Sequence, residues 1–171
     1  MGGADKGLLD YRGRPLVAWT LAALAPQVGE LVISANRNLE RYAALGHRVL
    51  PDTLPDYPGP LAGVLAAMDA VQAPWLLVAP CDTPHLPADL AARLLDTARH
   101  AGAPLAVAAD AQRTHHGCFV VRTDRRADLA AYLAGGERAV RGWQARLAPA
   151  SVRFDAAGFV NVNHPGDLPA A

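Results

Sequence analysis

The feature that most restricts how this chain can fold is an alternation of short apolar runs with longer helical ones. Leu31-Val32-Ile33, His47 to Leu50, Trp75 to Ala79 and Leu105 to Ala109 read as buried strands. Leu16 to Ala25 follows Pro15, a natural first-turn residue, and reads as a helix. Three more helices are predicted: Asn38 to Leu45, which stops at Gly46; Pro60 to Val71; and Pro87 to Ala101, which ends at Gly102. Strand–helix alternation predicts an α/β fold, a mostly parallel sheet with helices on both faces. After Thr114 the order changes. Cys118 to Arg122 reads as a strand, Arg125 to Leu133 and Glu137 to Leu147 as helices, and Ser151 to Phe154 and Phe159 to Val162 as short strands. No linker, repeat or low-complexity tract divides the 171 residues, so a single domain is expected.

Charge and composition remove several function classes. The formal net charge is zero, so the basic footprint of a nucleic-acid binder is not expected. Apolar residues make up 51% of the chain, yet no run approaches the roughly 18 residues of a membrane span. The start, Met1 to Lys6, has no apolar signal core, and two cysteines make no disulfide framework, so a cytoplasmic protein is expected. Of the cationic residues only Lys6 is a lysine; the rest are arginines. A compact ammonium serves as a point charge on phosphate in a way that a planar guanidinium does not. A leftover solvated charge is the alternative.

In open parallel sheets, ligands bind beyond the carboxyl ends of the strands. Strand 31–35 runs into Asn36, strand 47–50 through Pro51 into Asp52, and strand 75–79 through Pro80 and Cys81 into Asp82. Each alone reads equally well as a turn or a helix cap. Together they predict a site on one sheet edge. Asp82, at the end of an apolar strand, is the candidate Mg²⁺ ligand, because Mg²⁺ takes one or two carboxylates with substrate phosphates and water; Asp82 or Thr83 could instead start the following helix. Gly2, Gly3 and Gly7 flank Lys6, as a phosphate-binding loop or as a loose terminus. Pro58-Gly59-Pro60-Leu61-Ala62-Gly63 opens a helix, with Gly59 and Gly63 able to bring backbone N–H groups to a ligand. In Phe159-Val160-Asn161-Val162-Asn163, period-two alternation puts Asn161 and Asn163 on one strand face. His115 and His116 are adjacent, so on a strand they point to opposite faces and make no joint zinc site. Cys118 and Trp143 read as core residues, and Cys81 as a strand-end residue with no nucleophile partner.

Taken together, Met1-Gly2-Gly3-Ala4-Asp5-Lys6-Gly7, Gly13-Arg14-Pro15-Leu16, Ser34-Ala35-Asn36-Arg37, Asp52, Asp56 to Gly63, Pro80-Cys81-Asp82-Thr83-Pro84 and Phe159 to Asn163 resemble the bacterial molybdenum cofactor guanylyltransferases. The resemblance implies a Rossmann-like nucleotidyltransferase fold and transfer of GMP from GTP to the molybdopterin cofactor, with pyrophosphate released and Mg²⁺ required. It implies that Lys6 meets the nucleotide phosphates, that Asp82 holds Mg²⁺, and that Asp52 binds GTP. Gly2, Gly3, Ser34 and Asn36 fall with them in the nucleotide site. Ser34 stands where some members have Asn. Gly59, Pro60, Leu61, Gly63, Asn161 and Asn163 fall where the nucleotide and pterin pockets are expected. His115 matches a common family histidine, and His116 stands where Pro is usual. Molybdoenzymes or other cofactor-biosynthesis proteins are the implied protein partners. The family pattern places a strand and a Leu-Ala-Gly-Gly loop before the segment matched by Met1, so the domain is expected to be N-terminally incomplete. Two alternatives are a CTP-using cytidylyltransferase of the same fold and a truncated, non-catalytic domain.

Overall fold

A computed structural model of the chain describes residues 5–52 and 59–162. A two-residue hairpin comes first, β1 (Asp10–Tyr11) and β2 (Arg14–Pro15), followed by α1 (Leu16–Leu24). Then come β3 (Val32–Ser34), α2 (Leu39–Ala43), β4 (Arg48–Leu50), α3 (Pro60–Ala70) and β5 (Trp75–Val78). The second half holds α4 (Leu90–His100), β6 (Leu105–Ala109), β7 (Thr114–Arg122), α5 (Arg126–Ala134), α6 (Val140–Arg146) and β8 (Ala150–Arg153). The hairpin was not legible as two strands. It forms because Arg12 and Gly13 both take positive φ, and Asp10 accepts the Gly13 N–H at 3.2 Å.

The sheet is mixed rather than mostly parallel. β3 and β4 pair in parallel, and a four-stranded sheet runs in the order β5-β7-β6-β8. β6 and β8 are parallel, but β7 is antiparallel to both β5 and β6. The reversal follows from a short connection: β6 ends at Ala109 and β7 begins at Thr114, too close for a crossover helix. Since β7 opposes both, β5 and β6 share a direction with β8, and their carboxyl ends lie on one edge.

Helices cover both faces, as predicted. On β6 and β7 the side chains alternate. Ala106, Ala108, Cys118 and Val120 pack with Leu90, Leu94 and Ala98 of α4; Leu105, Val107, Phe119 and Val121 pack with Leu61, Leu65 and Met68 of α3, Leu133 of α5 and Trp143 of α6. Small residues on one face of β6 let α4 lie close; larger ones fill the layer opposite. Trp143 and Cys118 are core, as read from sequence. Trp143 donates its indole N–H to Asp128 at 2.9 Å, which makes burial of a polar nitrogen tolerable.

One alternative is removed and one expectation fails. Asp82 and Thr83 do not start the next helix, which begins at Leu90. Phe159 to Val162 is no strand: Ala156–Phe159 is a 3-10 turn and Val160–Val162 is irregular. The Asp155 carboxylate accepts the Ala157 N–H at 3.0 Å and caps that turn, while Phe159 is buried at its end. A local cap therefore outweighs the period-two pattern.

Candidate functional site

The segment after β5 carries the first part of the site. Lys6 lies in a 3-10 turn, Lys6–Leu8, and its Nζ donates to Asp82 Oδ2 at 2.5 Å across 76 residues of sequence. The ammonium is 39% exposed and the carboxylate 12%, so the pair sits at a surface with Asp82 on its inner side. Thr83, fully buried, donates to Asp82 Oδ1 at 3.4 Å, and its own carbonyl accepts from Thr20 Oγ1. The Asp82 carbonyl accepts the Val162 N–H at 3.0 Å. The segment ending at Val162 is thus fastened to the backbone of Asp82.

Asp5 fixes the turn that presents Lys6. Its carboxylate accepts from the Tyr42 hydroxyl at 2.6 Å and the Asn38 amide at 3.0 Å, with Arg37 Nε at 3.6 Å. Burial raises the Asp5 pKa, but those hydrogen bonds and the Arg37 charge outweigh it and hold the group below the usual value. Tyr42 is pushed upward by burial and by its bond to Asp5. Gly7 lies under the Tyr42 hydroxyl, which a Cβ there would meet at 2.6 Å. No local sequence pattern marks this Asp5–Tyr42 contact.

Asn36 and Asp52 form a second cluster. Asn36 Nδ2 donates to Asp52 Oδ2, and Asn36 Oδ1 accepts the Asp52 N–H, both at 2.7 Å. Asp52 Oδ1 is buried and has no hydrogen-bond partner among the described residues. Such an atom stays unsatisfied only at a cost, unless a donor arrives from outside. Gly63, on α3, belongs to this cluster: a Cβ there would lie 2.9 Å from Ser34 Cβ and 3.5 Å from Asp52 Oδ1. Gly59 and Pro60 stand exposed at the start of α3, whereas Leu61 is 1% exposed and part of the core. Gly2, Gly3 and Asn163 lie outside the described residues.

The third part is a cleft of about 280 Å³ beside Asp82, lined also by Pro80, Thr83, Arg113, His115, His116, Gly117, Cys118, Phe159 and Asn161. Both histidines line it, while their side chains take partners in opposite layers, His115 at Phe159 and His116 at Gln144 of α6, as the alternation of a strand predicts. Between Val107 and Ala108 of β6 the register jumps from Phe119 to His115 of β7, so a bulge releases residues 116–118 from the ladder. His115 Nε2 meets Asp110 Oδ2 at 2.8 Å, and its ring stacks on Phe159 at 4.2 Å. Asp110 is drawn down to about 2, mainly by the backbone N–H groups of Gln112 and Arg113. His116 is held instead by Gln144. Among the described residues no group of three or more His, Cys, Asp or Glu side chains gathers as a metal cage. Burial pushes the Cys81 thiol up to about 11 and the Cys118 thiol to about 12, which leaves both poor nucleophiles. Asp110 was missed in the sequence, although it closes β6 just as Asp82 follows β5.

The lysine–aspartate pair after β5 and the polar cleft beside it suit the phosphates of a nucleotide. Residues 1–150 match the family model for the MobA-like NTP transferase domain. The chain is 50% identical over 181 residues to the molybdenum cofactor guanylyltransferase of Burkholderia ambifaria (strain MC40-6), covering 99% of this chain and 88% of that protein. It belongs to the molybdenum cofactor guanylyltransferase family and is an enzyme of the nucleotidyltransferase class. The fold is shared with molybdopterin-guanine dinucleotide biosynthesis protein A from Archaeoglobus fulgidus, with a TM-score of 0.79 at 20% identity over 96% of this chain and 87% of that one. It is also shared with 2-C-methyl-D-erythritol 4-phosphate cytidylyltransferase from Thermus thermophilus, with a TM-score of 0.72 at 23% identity over 95% and 89%. Among the described residues no helix is long and apolar enough to cross a membrane.

Proposed function

We propose that this chain acts in the cytoplasm and joins GMP from GTP to the phosphate of the molybdopterin cofactor, with Lys6, Asp82 and Asp52 as the residues that handle the nucleotide. The observation that carries the reading is the contact between Lys6 Nζ and Asp82 Oδ2. It puts the single lysine of the chain, a phosphate-binding charge, against the one carboxylate that follows β5. The family name of the relatives supports GTP and the molybdenum cofactor as substrates.

The residues present fit a divalent cation bound through substrate. Asp82 has hydrogen bonds on both oxygens, but a carboxylate has about four acceptor sites, so capacity remains. A lone carboxylate suits Mg²⁺ when phosphate oxygens and water complete the shell. A solved neighbour of the same fold, from Mycobacterium tuberculosis, is described as a complex with manganese. Asp82 would hold the ion, which when bound neutralises charge on the phosphates.

The chain's own groups divide the remaining work. Without nucleotide, Lys6 balances the Asp82 charge; with nucleotide, a phosphate oxygen takes the place of Asp82 on Nζ. Asp52 Oδ1, buried and open, accepts from a ribose hydroxyl or a guanine N–H, while Asn36 holds the other oxygen. An acceptor phosphate oxygen then forms a bond to the α-phosphorus of GTP. The bond from that phosphorus to the β-phosphate breaks, and pyrophosphate leaves. No protein nucleophile is needed, since positioning and charge supply the acceleration.

The test is Asp82→Asn assayed with Mg²⁺, GTP and molybdopterin cofactor. Transfer should disappear while circular dichroism and Tm stay near wild type. Normal turnover by the variant would remove Asp82 from the metal role.

A further inference from the structure

The surroundings of His116 give it a defined chemistry. Gln144, on α6, is 1% exposed. Its Nε2 donates to the His116 carbonyl at 3.0 Å, and its Oε1 meets His116 Nδ1 at 2.6 Å. Only the amide nitrogen can donate to a carbonyl, so the amide orientation is fixed and Oε1 is an acceptor. Nδ1 of His116 must therefore carry a proton. That leaves Nε2 as the ring's remaining polar atom, with no hydrogen bond to the described residues, in a residue that lines the cleft. A wholly buried amide serves one imidazole and nothing else. An apolar side chain would fill the same space without needing two partners.

The neighbours make the cleft receptive to an anion. Arg113, exposed on the same cleft, has no hydrogen bond or ion pair between its guanidinium and the described residues. The two carboxylates nearby are compensated. Lys6 faces Asp82, while Asp110 accepts from His115 and from the backbone N–H groups of Gln112 and Arg113. Phe159 holds the His115 ring flat against it.

Building on the transfer reading above, we propose that His116 Nε2, locked by Gln144, and the Arg113 guanidinium seat the phosphate monoester of the acceptor beside Asp82. A phosphate monoester that still carries a proton donates it to the Nε2 lone pair. Arg113 supplies the forked donor that suits phosphate oxygens. Gln144 is a positioning residue: it acts through the tautomer of His116.

Two measurements test this. In ¹⁵N-histidine NMR the free protein should show His116 in the Nδ1–H form. Millimolar inorganic phosphate should move its Nε2 resonance and leave that of exposed His100 in place. Arg113→Ala should weaken the phosphate response about tenfold, the loss of a charge-assisted hydrogen bond. Gln144→Leu should let both tautomers appear. In steady-state assays His116→Asn, whose amide can still reach Gln144, should raise KM for the molybdenum cofactor about tenfold and leave KM for GTP unchanged. A His116 resonance indifferent to phosphate overturns the proposal, as does a response unaltered in Arg113→Ala or an unchanged acceptor KM in His116→Asn. If GTP is not used by the wild-type protein while His116 responds to phosphate, the seat stands and the guanylyl-transfer reading falls. If GTP is used and His116 is silent, the reverse holds.

Discussion

Replacing Lys6 by alanine separates what the lysine does for the fold from what it does for the reaction. In the free protein its partner is Asp82 Oδ2 at 2.5 Å, with the ammonium 39% exposed. An ion pair that open to water contributes at most about 1 kcal/mol. Asp82, 12% exposed, then loses a partner, which adds a similar amount, for a total of about 1–2 kcal/mol. For a chain of this length that lowers Tm by about 2–8 °C. The reaction suffers more. A preorganised donor aimed at developing charge in a protected site is worth about 100- to 1,000-fold in rate. Lys6→Ala should therefore lose that factor in kcat/KM for GTP, read from pyrophosphate release, while the protein remains folded at 25 °C. Lys6→Arg should recover only part, because a planar fork cannot replace a compact point charge in the same turn. A loss of less than about tenfold, below the effect of removing one such donor, would refute the phosphate role and leave the Lys6–Asp82 pair as an ordinary surface contact.

Two further outcomes are expected. Gly63→Ala should destabilise the protein by about 1–3 kcal/mol, because the new methyl meets Ser34 Cβ at 2.9 Å, and Ser34→Gly in the same chain should restore most of the loss in thermal melts. Asp110, held near 2 against an ordinary 3.8, is deprotonated in the folded state where the unfolded chain takes up a proton, so its stabilisation is present above about pH 4 and lost as pH falls towards 2; the Tm gap between wild type and Asp110→Asn should close across that window.

The sequence makes the layered core legible because burial imposes strict periods. Leu105 to Ala109 alternates between two helix layers, and Leu90, Leu94 and Ala98 repeat at helical spacing. It also marks Asn36, Asp52 and Asp82 as candidates, since each follows the carboxyl end of a strand. It does not show which groups meet across the chain. The Asp5–Tyr42 bond and the Gln144–His116 bond link residues 37 and 28 positions apart, and no local pattern encodes either. The bulge in β7 leaves no mark beyond Gly117, yet the alternation rule still separates the two histidines, with His115 on Phe159 and His116 on Gln144. The cap at Asp155 likewise turns an apparent strand into a 3-10 turn. Asp110 was within reach of the same strand-end argument that picks Asp82.

The most direct test of the central claim is product analysis of the wild-type protein given molybdopterin cofactor, Mg²⁺ and GTP, CTP or ATP in parallel. Mass spectrometry should find the guanine dinucleotide cofactor and one pyrophosphate per transfer, with kcat/KM for GTP about 100-fold or more above that for CTP, as expected when buried polar groups read the base. Equal or better use of CTP, with the cytosine dinucleotide as product, would contradict it.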